Sequence, residues 1–260
     1  MSDVVHVHVE GLVAVVTMMG DLGHSLTVEV VDGLTTAIAR AAANEQCRAI
    51  VLRAEAGDFC QGLDLNLFRD GRRPSRDDLR RFAACLTQIC RSRPPVVACV
   101  EGQTSGGGVG LVAACDLVLA SATATFVLPE LVVGLLPALV TPFLRRRLSL
   151  AQIRSLSLSS RTIDASEAHV LGLVDEVAVD VRERLNAQLR RLVCASPLAV
   201  AAAKRYFDRL DPYLLDAEVE CAIDEAVRWI DTAATLEDVR EFVDGGVPSW
   251  FPKGRWEKFV

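Results

Sequence analysis

The run VEGQTSGGGVGLVAACDLVLAS, residues 100–121, constrains the fold of this chain more than any other stretch. An apolar, strand-like segment, PPVVACVEG (94–102), leads into three consecutive glycines, Gly106, Gly107 and Gly108. A run of small residues containing a fourth glycine, Gly110, follows, and DLVLAS (116–121) reads as strand again. A helix that starts near Gly107 has N–H groups without intrahelical partners and a positive dipole end. Bare glycine backbone also lets another group come close. The run therefore suits either a developing negative charge or tight packing of a helix start against a strand. It is neither of the common phosphate cradles. A P-loop needs Lys after its last glycine, and Val109 stands there. The dinucleotide fingerprint needs a third glycine five residues after the first, where Leu111 stands.

The segments around this run alternate between strand and helix. VVHVHVE (4–10) and LVAVVTM (12–18) flank Gly11 as a hairpin, which leaves His6 and His8 exposed. SLTVEVVDGLTTAIARAAANE (25–45) has helical spacing with Ser25 as its cap, and RAIVLRA (48–54) is a strand. GDFCQGLDL (57–65) is a loop around Gly62. Ser75 and Asp78 have capping-box spacing ahead of the helix 75–90. Strand–helix–strand units of these lengths predict an α/β core with crossover connections and strands buried on both faces. After Leu148 the chain reads as helical except for VDEVAV. CASPLAV divides it into a core, 1–196, and a C-terminal helical part, 197–260. There LLDAEVECAIDEAVRWI carries an apolar stripe at 214, 215, 219, 222, 223, 226 and 230.

With 260 residues the chain is long enough for one large core. A net charge of −6 predicts no nucleic-acid partner. The low-charge region 102–129 contains Asp116 and a glycine cluster, so it reads as buried helix and strands, with no membrane partner. The first residues, MSDVVHVHVEG, do not read as a signal peptide, which predicts a cytoplasmic protein. Eight cysteines form no C-x-x-C pair and no metal-ligand spacing. Buried thiols in a reducing compartment account for them, and a secreted disulfide-bonded chain is the alternative.

The glycine-rich run, together with FCQGLDL (59–65), FVLPELVVGLLPA (126–138), DASEAHVLGLVDEV (164–177) and SPLAVAAAK (196–204), resembles the crotonase (enoyl-CoA hydratase/isomerase) superfamily. The resemblance covers most of the chain. It implies a crotonase-like spiral core of repeated ββα units and a helical C-terminal trimerisation part, in a homotrimer or hexamer. It implies an acyl-thioester substrate whose oxygen is held, as it becomes an enolate, by the backbone N–H groups of Leu63 and Gly107. The implied catalytic carboxylate is Glu130, in an apolar setting that raises its pKa. Gly62, Asp64, Gly108, Gly110, Leu135 and Ala138 are expected to line the substrate. Asp64 alternatively fixes its loop, and Asp116 caps or pairs. His24 could line the site, and His169 lies on a short helix.

The family's hydratases carry a second glutamate at the position of Gly110, 20 residues before Glu130. With one carboxylate, an elimination or a double-bond isomerisation remains possible, as does a non-catalytic scaffold. GLLPALVTPFLRRRL (134–148), FCQGLDL and FVDGGVPSW resemble the dehydratases of polyketide β-branching, which act on 3-hydroxy-3-methylglutaryl-acyl carrier protein. An arginine among Arg145, Arg146 and Arg147 could hold the distal carboxylate, or the three could be a solvated helix end. No metal or resident cofactor is expected. The resemblance implies that phosphopantetheine, of an acyl carrier protein or of coenzyme A, carries the acyl group. The three lysines, Lys204, Lys253 and Lys258, do not separate these two carriers.

Overall fold

A computed structural model describes residues 4–20, 25–69, 71–210 and 215–251; His24, residue 214, Lys253 and Lys258 lie outside them. Strands β1 (Val5–Glu10) and β2 (Val13–Met18) form the expected hairpin at Gly11. Next come β3 (Ser25–Leu26), α1 (Val28–Ala43), β4 (Ala49–Ala54), β5 (Gly62–Leu63), α2 (Asn66–Arg69) and α3 (Arg76–Arg91). The glycine region gives β6 (Val96–Val100), β7 (Gln103–Ser105) and α4 (Gly107–Ala114). Then follow β8 (Leu117–Ser121), β9 (Thr125–Val127), α5 (Thr141–Leu144), α6 (Leu150–Ser159), β10 (Ile163–Asp164), α7 (Ala165–Leu171) and β11 (Glu176–Ala178). The chain closes with α8 (Val181–Val193), α9 (Pro197–Leu210), α10 (Leu215–Ile230) and α11 (Ala233–Val243).

A six-stranded sheet runs β1-β2-β4-β6-β8-β11, parallel except for the β1–β2 hairpin. Short strands form a second layer, β10-β9-β7 and β3-β5, which Cys60 and Thr104 bridge. Each long strand is thus followed by a short one and then a helix: β2–β3–α1, β4–β5–α2, β6–β7–α4, β8–β9–α5. This is the repeated ββα core of the crotonase fold. The period-2 alternation of strands explains the two-sided burial. Ile50, Leu52, Val96, Ala98 and Val118 face the main core, and Val51, Val97, Cys99 and Leu119 face α8. Six cysteines are buried, Cys194 and Cys221 are exposed, and all eight are free. Among the described residues, no helix is long and apolar enough to cross a membrane.

The capping box at Ser75 and Asp78 is present as the spacing predicts. The start of α1 differs. Ser25 is drawn into β3 opposite Gly62, and Thr27 caps the helix by accepting from Val30 N–H at 3.2 Å. A long-range pairing has overridden the local cap. Two short strands, β10 and β11, interrupt the region after Leu148; the first carries no apolar run that would announce it.

Asp116 joins three elements. Its carboxylate accepts from Val96 N–H at 2.7 Å and from Lys204 Nζ at 2.6 Å, tying α9 to the sheet. Burial raises the Asp116 pKa, and the Lys204 ammonium opposes that shift. Lys204→Met leaves a largely buried carboxylate without its cation and is expected to lower unfolding free energy by about 2 kcal/mol, measured by urea denaturation.

Candidate active site

The triplet glycines are forced by separate contacts. Gly106 has φ +51° and ψ −116°, a backbone that side chains rarely adopt, and its N–H donates to Val127 O at 2.9 Å. That bond ties the start of α4 to β9. Gly107 is the first residue of α4, so the helix contains no carbonyl for its N–H. A Cβ on Gly108 would lie 2.7 Å from Cys60 O. The helix start is therefore pressed against the loop that carries Gly62 and Leu63.

That loop closes from the other side. Gly62 has φ +83°, and a Cβ there would lie 2.8 Å from Ser105 O and 3.1 Å from Gly107 N. Two segments more than 40 residues apart thus meet backbone to backbone. Leu63 and Gly107 line one cavity together with Ser105, Gly106, Pro129 and Glu130. Asp64 fixes the loop by accepting from Asn66 N–H at 3.0 Å.

Glu130 follows β9 in a tight turn whose Leu135 N–H donates to Glu130 O at 2.8 Å. Its carboxylate reaches back to the triplet: a Cβ on Gly106 would lie 3.2 Å from Glu130 Oε1. The other oxygen, Oε2, is buried and accepts no hydrogen bond from the described residues. Burial pushes the Glu130 pKa up to about 7, against a smaller downward pull from its own backbone N–H. A half-neutral carboxylate beside an open helix N-terminus can both take and return a proton near neutral pH.

No second carboxylate stands at position 110. A Cβ on Gly110 would lie 2.7 Å from Val140 Cγ1 and 3.5 Å from Leu86 Cδ1. Val140 fills that space and itself lines the cavity.

The cavity has a volume of about 600 Å³ and mostly apolar walls from Leu26, Phe82, Leu135, Leu139 and Val140. Of the residues expected to line the substrate, Leu135 and Asp64 are on the cavity wall, whereas Gly62, Gly108, Gly110 and Ala138 are not. The first three glycines are consumed by contacts with Ser105, Cys60 and Val140 behind the wall. Ala138 packs behind the wall, against the apolar cluster whose Leu79, Val133, Leu135, Ala226 and Ile230 line the cavity.

The arginine triplet also differs from expectation. Arg145 pairs with Glu218 at 2.7 Å and Arg146 with Asp208 at 2.7 Å. Arg147 pairs with Asp175 at 3.2 Å and donates to Cys115 O at 2.9 Å. None of the three lines the cavity, and none is simply solvated. They fasten α5 and the turn after it to the core and to the C-terminal helices. The cavity's cations are instead Arg72, Arg73 and Arg81. The only hint of the first two in the sequence is a basic pair just ahead of the Ser75 cap. Ala226, Trp229 and Ile230 of α10 complete the wall, so the C-terminal stripe serves the cavity as well as the core.

Residues 9–251 match the family model for enoyl-CoA hydratase/isomerase. The chain is 35% identical over 169 residues to the Arabidopsis thaliana peroxisomal fatty acid β-oxidation multifunctional protein AIM1, covering 63% of this chain and 23% of that protein. The chain thus spans about a quarter of the length of that relative. It is 28% identical over 217 residues to carnitinyl-CoA dehydratase of Proteus mirabilis, covering 80% and 81% of the two chains. Among solved structures, a Bacillus subtilis protein described as a polyketide biosynthesis enoyl-CoA hydratase superposes with a TM-score of 0.89 at 22% identity. It covers 97% of this chain and 100% of that one, and it shows the shared fold. The chain belongs to the enoyl-CoA hydratase/isomerase family.

Proposed function

We propose that this protein is a lyase that removes water from a 3-hydroxyacyl thioester through an enolate, with Glu130 as its sole acid–base group. One observation carries the reading. The half-neutral Glu130 carboxylate lies against Gly106 at the start of α4, while Val140 occupies the space a second carboxylate would need. In the proposed step, Glu130 takes the proton from the α-carbon. The thioester oxygen, held by the N–H groups of Leu63 and Gly107, receives the negative charge. The electron pair then forms the C2–C3 double bond as the C3–O bond breaks. Glu130 returns the proton to the departing hydroxyl, which leaves as water, and the carboxylate is restored. Preorganised donors of this kind typically contribute about 10²–10³ in rate each.

The acyl group we assign is 3-hydroxy-3-methylglutaryl, and the carrier is an acyl carrier protein. The sequence around GLLPALVTPF and FVDGGVPSW supports this branch. The positive charge we assign to the distal carboxylate is that of Arg72, Arg73 and Arg81, which line the cavity where the arginines at 145–147 do not; Arg73 also pairs with Asp231 at 3.2 Å and Arg81 with Asp32 at 2.9 Å. Incubation with 3-hydroxy-3-methylglutaryl carrier protein, followed by intact mass, is expected to show loss of one water. Loss from the coenzyme A thioester alone would reassign the carrier. No loss from either, with folded protein, would remove the dehydratase reading. An isomerase uses the same single carboxylate, and migration of a β,γ double bond without water loss would favour it.

The base form of Glu130 is the active one for proton removal. The rate constant kcat/KM is therefore expected to rise with pH and level off above about 7. A profile that is flat from pH 5 to 9 would exclude Glu130 as the base.

A further inference from the structure

The turn that carries Glu130 is gripped at its other end by two tryptophans that the core does not need. Trp229 and Trp250 are each 41% exposed, so burial alone does not account for them. Trp229 Nε1 donates to Gly134 O at 2.8 Å. The Trp250 ring lies flush on the same residue: a Cβ on Gly134 would meet Trp250 Cη2 at 2.5 Å. Gly134 also has φ +78°, so both its backbone and the ring against it call for glycine.

The turn between Gly134 and Glu130 has little freedom. Val132 N–H donates to Pro129 O at 2.9 Å, and Leu135 N–H donates to Glu130 O at 2.8 Å. A displacement of Gly134 therefore moves Glu130 with it. Trp250 is itself pinned. The carboxylate of Asp238 on α11 accepts from Ser249 N–H at 2.8 Å and from Ser249 Oγ–H at 2.9 Å. Pro248 beside it is buried.

We propose that Trp250, together with Trp229, is a positioning residue for Glu130. The two rings fix the Gly134 end of the turn, and with it the place of the Glu130 carboxylate beside Gly106. This rests on the reading of Glu130 as the acid–base group. The C-terminal segment thereby sets the geometry of a group on the opposite side of the turn, without touching substrate through Trp250.

Two readouts test this in the full chain. The first is kcat and KM on the dehydration substrate. The second is the infrared absorption of the protonated Glu130 carboxyl, assigned by its loss in Glu130→Gln and followed with pH. Burial and its own backbone N–H set this titration. The charged groups sharing the cavity are Glu29, Asp64, Arg72, Arg73, Asp78 and Arg81. Trp250→Ala is expected to lower kcat by about 10- to 100-fold with KM changed by less than about threefold. The carboxyl midpoint should fall from about 7 toward the ordinary carboxylate range as the turn loosens and water enters. Trp250→Phe, whose shorter ring loses the Cη2 contact with Gly134, should give values between those of wild type and Trp250→Ala. Ser249→Ala, which removes only the hydroxyl tie to Asp238, should shift both in the same direction by less. An unchanged kcat and midpoint in Trp250→Ala, with only a lower Tm, would overturn the proposal. If Trp250→Ala does not fold, unchanged values in Ser249→Ala and Trp229→Phe would overturn it. If wild-type protein converts no thioester, the functional reading fails, and the carboxyl titration still decides whether the tryptophans position Glu130.

Discussion

Glu130→Gln is expected to lower kcat/KM by about 10²–10⁴, the contribution of a positioned acid–base group. Gln keeps the size and an acceptor oxygen beside Gly106, so the cavity stays formed and only proton transfer is lost. The same variant is expected to gain stability at high pH, and the sign follows from the raised pKa. Between the usual carboxylate range and about pH 7, the unfolded chain has released the proton that the folded chain keeps. Stability conferred by the neutral carboxyl is therefore lost as pH rises through that window. Gln removes this penalty. At pH 8 the variant should be more stable than wild type by on the order of 3 kcal/mol, and at pH 4 about equal to it. Urea unfolding at the two pH values measures both. A variant that loses activity and also loses stability at pH 8 would mean the carboxylate is structural.

Gly110→Glu is expected to be destabilising by more than about 3 kcal/mol rather than to create a hydratase. The new side chain must pass through Val140 Cγ1, which lies 2.7 Å from where its Cβ begins, and would bring a charge into an apolar wall. Val140→Gly added to Gly110→Glu opens that space. The double variant should recover part of the lost stability and gain hydration of an enoyl thioester, followed by loss of its ultraviolet absorbance. A single variant as stable as wild type would show that Val140 does not fill the second carboxylate's place.

These two residues also show what the sequence makes legible. The absence of a carboxylate at 110 is visible in one letter, but its reason is not. Val140 lies 30 residues away, and only the packing of α5 on α4 brings it there. Local signals read well: the Gly11 hairpin, the Ser75–Asp78 box and a helix opening at Gly107 all depend on neighbours within a few residues. The Ser25 cap fails because Gly62 recruits that residue into a strand pair. The arginines at 145–147 look like candidates for a substrate carboxylate until Glu218, Asp208 and Asp175 arrive from distant elements. Arg81 hides as a polar position within a helix, although that helix face turns toward the cavity. The resemblance to a family supplied the convergence of Leu63, Gly107 and Glu130, which no local rule contains; the fold places all three on one cavity.

In the proposed mechanism, Glu130 and the amides at Leu63 and Gly107 form an enolate from a bound thioester. The most direct measurement is deuterium incorporation at the α-carbon of a saturated acyl thioester lacking the 3-hydroxyl, incubated with the protein in D2O. Without a leaving group, only enolate formation and its reversal can label that carbon. The proposed mechanism requires labelling by wild-type protein and its loss in Glu130→Gln. Labelling that persists unchanged in Glu130→Gln, or none at all with folded wild-type protein, would contradict it.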